Sequence, residues 1–96
     1  MEYHVIISSR FKKDFKRCMK RGLDMRLITT AMDMLKATGT LPAQYHPHKL
    51  VGEKRGIWEC HIQPDWLLLW EQHDDQLVLL MLNTGTHSDI YGKIRR

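Results

Sequence analysis

Apolar positions recur along this chain in two rhythms, and the change from one to the other divides it. Tyr3 to Ile7 is short, apolar and β-branched, which predicts a strand. Ser8 and Ser9 offer N-caps. Phe11, Phe15, Cys18 and Met19 then recur at helical spacing and predict a helix with those four on its buried stripe. Its other face carries Lys12, Lys13, Lys16, Arg17 and Lys20, and Gly22 is a stop signal. Asp24 caps a second predicted helix, with Leu27, Ile28, Ala31 and Leu35 turned inward and Gly39 past its end. Helices joined by so short a turn are expected to form an antiparallel hairpin.

From Thr40 to Gly56 the chain is polar and proline-marked, and it holds His46, His48, Lys49, Lys54 and Arg55. A connection of that length in a compact domain is more often functional than passive, so substrate contacts are expected there. The period then falls to two. Ile57 to Ile62 alternates, with Trp58, Cys60 and Ile62 on one face and Ile57, Glu59 and His61 on the other. Gln63-Pro64-Asp65 is a turn, Trp66 to Glu71 a strand, Asp74-Asp75 a second turn, and Leu77 to Leu82 a further strand. The apolar runs in the last two strands are too continuous for a half-exposed sheet and predict the centre of the core. Thr86 caps a short final helix, with Asp89 placed as in a capping box. The order is β-α-α-β-β-β with a terminal helical turn. That segregation of helices and strands predicts an α+β fold, a mainly antiparallel sheet with the helix hairpin on one face. No repeat, low-complexity stretch or linker interrupts residues 1–96, which read as one domain.

Composition narrows the class. The chain has 96 residues, 43% of them apolar, enough for one compact core. Fifteen Lys and Arg give a net charge of +4, which suits a polyanion or an acidic partner. Cys18 and Cys60 fall at apolar positions of their elements and are expected as buried free thiols of a reducing compartment. The start of the chain is polar and its longest apolar stretch, Trp66 to Trp70, is too short for a bilayer, so a cytoplasmic protein is expected.

The candidate chemistry lies in three histidines beside turns or strand edges: His48, His61 and His87. Histidine exchanges protons near neutral pH, and several with a carboxylate among many cations point to acid–base work on a phosphate ester, a small ribonuclease. A zinc site built from His46, His48, His61, His87 and Cys60 is not expected, because the spacing fits no compact ligand pattern and Cys60 faces away from His61.

The strings His48-Lys49-Leu50-Val51-Gly52, His61-Ile62-Gln63-Pro64-Asp65-Trp66 and Thr84-Gly85-Thr86-His87-Ser88-Asp89, in this order of elements, resemble the YafQ branch of the RelE/ParE toxin superfamily. The resemblance runs from the first strand to Tyr91. It implies the RelE-like fold and a toxin of a type II toxin–antitoxin pair that cuts messenger RNA in the A site of the ribosome's 30S subunit. It further implies no metal or other cofactor, neutralisation by a cognate antitoxin, and binding of operator DNA through the toxin–antitoxin complex, with no role for a membrane. The family's functional positions fall on His48, His61, Asp65, Trp66, His87 and Tyr91. Two departures stand out: Asn83 replaces an arginine common before Thr-Gly-Thr-His, and Tyr91 replaces the phenylalanine of YafQ itself. Without that arginine, Lys49, Arg55 or the Arg95-Arg96 tail would have to supply the cation for the scissile phosphate.

The implied reaction uses the RNA 2′-hydroxyl as nucleophile, with one group taking its proton and another protonating the leaving 5′-oxygen. The expected acid–base pair is His48 and His87. His61 is expected to hold phosphate or adjust its neighbours' pKa values, Asp65 to orient a histidine or act as base, and Trp66 and Tyr91 to stack on bases. Two other readings share the sequence. One is a ParE-like gyrase inhibitor, against which the histidines argue. The other is a non-catalytic nucleic-acid-binding or corepressor module, which Asn83 keeps open.

Overall fold

The computed structural model describes residues 2–52 and 56–92. Arg55, Arg95 and Arg96, named above as candidate cations, and Lys54 of the polar connection lie outside the described residues. Strand β1 (His4–Ile7) leads through Ser8 into α1 (Ser9–Lys20) and α2 (Met25–Thr38). A single 3-10 turn, Ala43–Tyr45, precedes β2 (His48–Lys49). Then follow β3 (Ile57–Gln63), β4 (Trp66–His73), β5 (Val78–Gly85) and α3 (His87–Tyr91). The five strands form one sheet in the order β1-β5-β4-β3-β2. β1 runs parallel to β5 and every other pair is antiparallel. The α+β architecture expected from the sequence is present, with one strand more than expected: β2 folds His48 and Lys49 against Glu59 and Trp58 as an edge strand.

The caps are where the sequence places them. The Ser8 hydroxyl accepts from the Phe11 N–H, and the Asp24 carboxylate from the Arg26 N–H. Gly39 ends α2 in the left-handed region at φ 75°, and a Cβ there would lie 2.6 Å from the Tyr3 ring, so no other residue fits without moving that tyrosine. Both helices pack on the same face of the sheet. Phe11, Cys18, Ile28 and Leu35 meet Cys60, Trp66, Leu68, Trp70, Leu79 and Met81, and each large side chain buried there contributes about 2 kcal/mol relative to exposure. Trp58 stacks on Trp70 with ring centroids 6.0 Å apart. Two stripe residues are misplaced by the helical pattern alone: Met19 is 52% exposed and Leu27 37% exposed. Each sits at the edge of its apolar stripe, where helical spacing cannot separate rim from core.

The opposite face of the sheet carries the polar chemistry. Register sets His48, Glu59, Leu69 and Asn83 in one row across β2, β3, β4 and β5, and His61, Leu67 and Gly85 in the next. Directly paired residues share a face, so Glu59 and His61 stand over a floor of buried Leu67 and Leu69.

Candidate active site

Asp65 and His87 meet where the β3–β4 turn approaches the start of α3. Asp65 Oδ1 accepts twice from one residue, from the His87 backbone N–H at 2.9 Å and from the ring Nδ1 at 2.6 Å. The His87 backbone bond first, and the ring bond second, hold the Asp65 carboxyl below the usual carboxylate range. The α3 start is itself fixed by a capping box between Thr86 and Asp89, and Asp89 is gripped by Arg21 at 2.6 and 3.1 Å. Gly85 is required just before it: at φ 153° a Cβ would fall 2.6 Å from Asp89 Oδ2.

His61 rises from β3 beside this pair, its ring centroid 5.9 Å from that of His87. Its Nδ1 lies 3.3 Å from the Pro64 carbonyl oxygen, which can only accept. Both rings therefore carry their hydrogen on Nδ1 and leave Nε2 for other work. His46 also meets His61, edge-on at 5.8 Å. His46 and His61, with Gln44, Ile62, Gln63 and Pro64, line an open cavity of about 640 Å³.

A second group adjoins the first. Glu59, 7% exposed, takes the Tyr91 hydroxyl hydrogen on Oε2 at 2.6 Å, and its Oε1 is 3.1 Å from His48 Nε2. His48 Nδ1 donates to the His46 carbonyl oxygen at 2.8 Å. Burial first, and the bond to Glu59 second, push the Tyr91 phenol upward. Glu59 was legible in the sequence only as the polar neighbour of His61 on an alternating strand, and His46 only as one residue of a long loop.

A family model described as the bacterial toxin of type II toxin–antitoxin system, YafQ, matches residues 3–92. The mRNA interferase toxin YafQ of Escherichia coli K12 is 36% identical over 86 residues, covering 88% of this chain and 91% of that protein. The chain belongs to the YafQ toxin family. A Haemophilus influenzae protein named putative toxin YafQ is 34% identical over 70 residues, 70% of this chain and 69% of that one. A crystal structure of the Escherichia coli DinJ–YafQ toxin–antitoxin complex superposes with a TM-score of 0.87 at 32% identity, covering 96% of this chain and 100% of that chain.

Several residues expected to serve the YafQ-type site are placed otherwise. Trp66 offers no face to a base: it is 2% exposed, and its indole N–H donates to Thr84 Oγ1 at 2.9 Å within the core. The apolar run that follows it draws the whole strand inward. Lys49 pairs with Trp58 on the helix-bearing face, its ammonium 5.7 Å from that ring, so it faces away from Glu59 and the histidines. Asn83 lies in the Glu59 row, but its amide donates at 3.3 Å to Asp14, a buried carboxylate of α1. Asp14 also takes the Thr84 N–H at 3.2 Å and ion-pairs with Arg10 and Arg17. Of the expected His48–His87 acid–base pair, His87 has the ring of His61 beside it, and both His48 nitrogens face acceptors. Among the described residues, no group of three or more His, Cys, Asp or Glu is arranged to hold a metal ion, and no helix is long and apolar enough to cross a membrane.

Proposed function

We propose that this protein is an mRNA interferase, a metal-independent endoribonuclease that cuts messenger RNA on the ribosome and so inhibits translation. The observation that carries the reading is the Asp65–His87 pair set beside His61, two imidazoles whose Nε2 atoms are free and whose rings are 5.9 Å apart. Two such groups suffice for the chemistry. One takes the proton of the 2′-hydroxyl as its oxygen attacks phosphorus. The other gives a proton to the 5′-oxygen as the P–O5′ bond breaks, leaving a 2′,3′-cyclic phosphate and a 5′-hydroxyl. Asp65 holds the His87 ring by its Nδ1–H, the role a buried aspartate takes toward histidine in hydrolytic triads. The activity named for the Escherichia coli relative supports the same reading.

A cognate antitoxin is the expected partner, supported by the DinJ–YafQ complex. Operator DNA would be engaged through this protein's own toxin–antitoxin complex, in the cytoplasm where ribosomes are met. The apolar groove between α1 and α2, lined by Phe11, Phe15, Met19 and Met32 and edged by Lys12 and Lys16, suits an amphipathic acidic segment.

The test is induced expression in bacteria of the wild-type chain beside His87→Ala, mapping transcript 5′ ends over the first minutes. Growth arrest with new 5′-hydroxyl ends at in-frame positions, absent in the variant, supports the proposal. Arrest with intact transcripts overturns it in favour of a gyrase-type target, and no arrest from folded protein favours a non-catalytic nucleic-acid-binding module.

A further inference from the structure

We propose that His46 is a substrate-contacting residue that binds the RNA phosphate adjoining the one being cut. The inference rests on the nuclease reading above and extends its site by one side chain.

Four observations converge on it. First, His61 joins His46 to the proposed catalytic pair: its ring lies 5.9 Å from that of His87 and 5.8 Å from that of His46, so RNA held against His87 and His61 has His46 within reach. Second, its backbone is fixed at both ends while its ring nitrogens remain unengaged by the protein. The His46 N–H donates to the Ala43 carbonyl at 2.9 Å and its carbonyl accepts from His48 Nδ1 at 2.8 Å. Third, that backbone is left-handed, φ 51° and ψ 50°, a conformation unfavourable for a non-glycine residue and kept only where surroundings impose it. The geometry turns the ring into the 640 Å³ cavity it shares with His61. Fourth, the described Lys and Arg side chains that could serve the site are turned elsewhere. Asn83 stands where an arginine was expected, and its amide is spent on Asp14. Lys49 faces the other way over Trp58, Arg21 is closed on Asp89, and no Lys or Arg among the described residues lines the cavity. An imidazole N–H is a donor to phosphate, and His46 presents one in this cavity.

The test uses bacterial ribosomes programmed with a short mRNA whose cleavage nucleotide is 2′-deoxy, so that it binds without being cut. Single phosphodiesters are replaced in turn by uncharged methylphosphonates, and binding of the wild-type toxin is compared with His46→Ala and His46→Asn. Asparagine tolerates the left-handed backbone, so the second variant removes the imidazole without disturbing the loop. The expected result is a roughly tenfold loss of wild-type affinity when the neighbouring phosphate is neutralised, falling to twofold or less in both variants, a coupling that only a contacting residue produces. An equal penalty in all three proteins overturns the His46 contact while leaving the nuclease reading intact. A wild-type protein that neither binds these ribosomes nor cuts the all-ribose mRNA overturns both.

Discussion

His87 donates twice to one oxygen of Asp65, through its backbone N–H at 2.9 Å and its ring Nδ1 at 2.6 Å. The backbone bond fixes where the carboxylate sits, and the ring bond then fixes which imidazole nitrogen is left for substrate. Asp65→Asn retains an oxygen for the backbone bond but loses the charge that favours the His87 imidazolium formed during proton transfer. Cleavage on programmed ribosomes is expected to slow by roughly a hundredfold in kcat with little change in KM, and by about 10²–10⁴ in His87→Ala. A parallel rise of KM with unchanged kcat in Asp65→Asn would instead make the pair a binding element.

Glu59 links Tyr91 to His48, and the linkage has a measurable stability. Tyr91→Phe leaves a buried carboxylate oxygen without its 2.6 Å donor, which costs about 1–2 kcal/mol. Urea unfolding of Tyr91→Phe, His48→Ala and the double variant is expected to show a coupling above about 0.5 kcal/mol, because both side chains act on one carboxylate. Strict additivity would mean that Glu59 holds the two independently.

Most of the scaffold was legible in the sequence because each element announces its own period and punctuation. Ser8, Asp24, Gly39 and the Thr86–Asp89 box all cap where their residue types predict. β2 was not legible: two residues have no period, and only pairing with Glu59 and Trp58 makes a strand of them. The site divides in the same way. Asp65, His61 and His87 lie beside local turn signals, and the fold brings them together. The places of His46, Glu59 and Asn83 depend on register across the sheet and on a buried aspartate of α1, which are long-range facts. Trp66 misled for a simpler reason, since a tryptophan beside a turn and one opening a buried strand read alike until the strand is packed.

Both thiols are expected to be silent in the folded protein. Cys18 and Cys60 are buried and unpaired. Burial pushes the Cys60 thiol up to about 12, with the Glu59 charge adding to it, and burial raises Cys18 as well. The nucleophile is the thiolate, so neither cysteine should react with an alkylating reagent at pH 8 in native protein, and both should react in denaturant. Rapid labelling of Cys60 in the native state would show that β3 opens.

Arg21 tethers α3 to the end of α1 through Asp89, and this tether should fail in acid. α3 spans only five residues and cannot persist on its own propensity. Arg21 is the main cause of a strongly depressed Asp89 carboxyl, helped by the Thr86 N–H and the charge of Arg17 and opposed by burial. A carboxyl whose folded pKa lies below its unfolded value of about 3.9 stabilises the fold fully above that value, and loses the contribution as pH falls toward the folded one. Wild type should therefore unfold at higher urea than Asp89→Asn at pH 7, and the gap should narrow between about pH 4 and pH 2. Salt should narrow it further at pH 7, since Arg21 is partly in water. A gap independent of pH would assign the loss to the capping box, which asparagine weakens at any pH. Because α3 begins at His87, the same variant should also cut more slowly at neutral pH, in proportion to how far its His87–Asp65 bond is released.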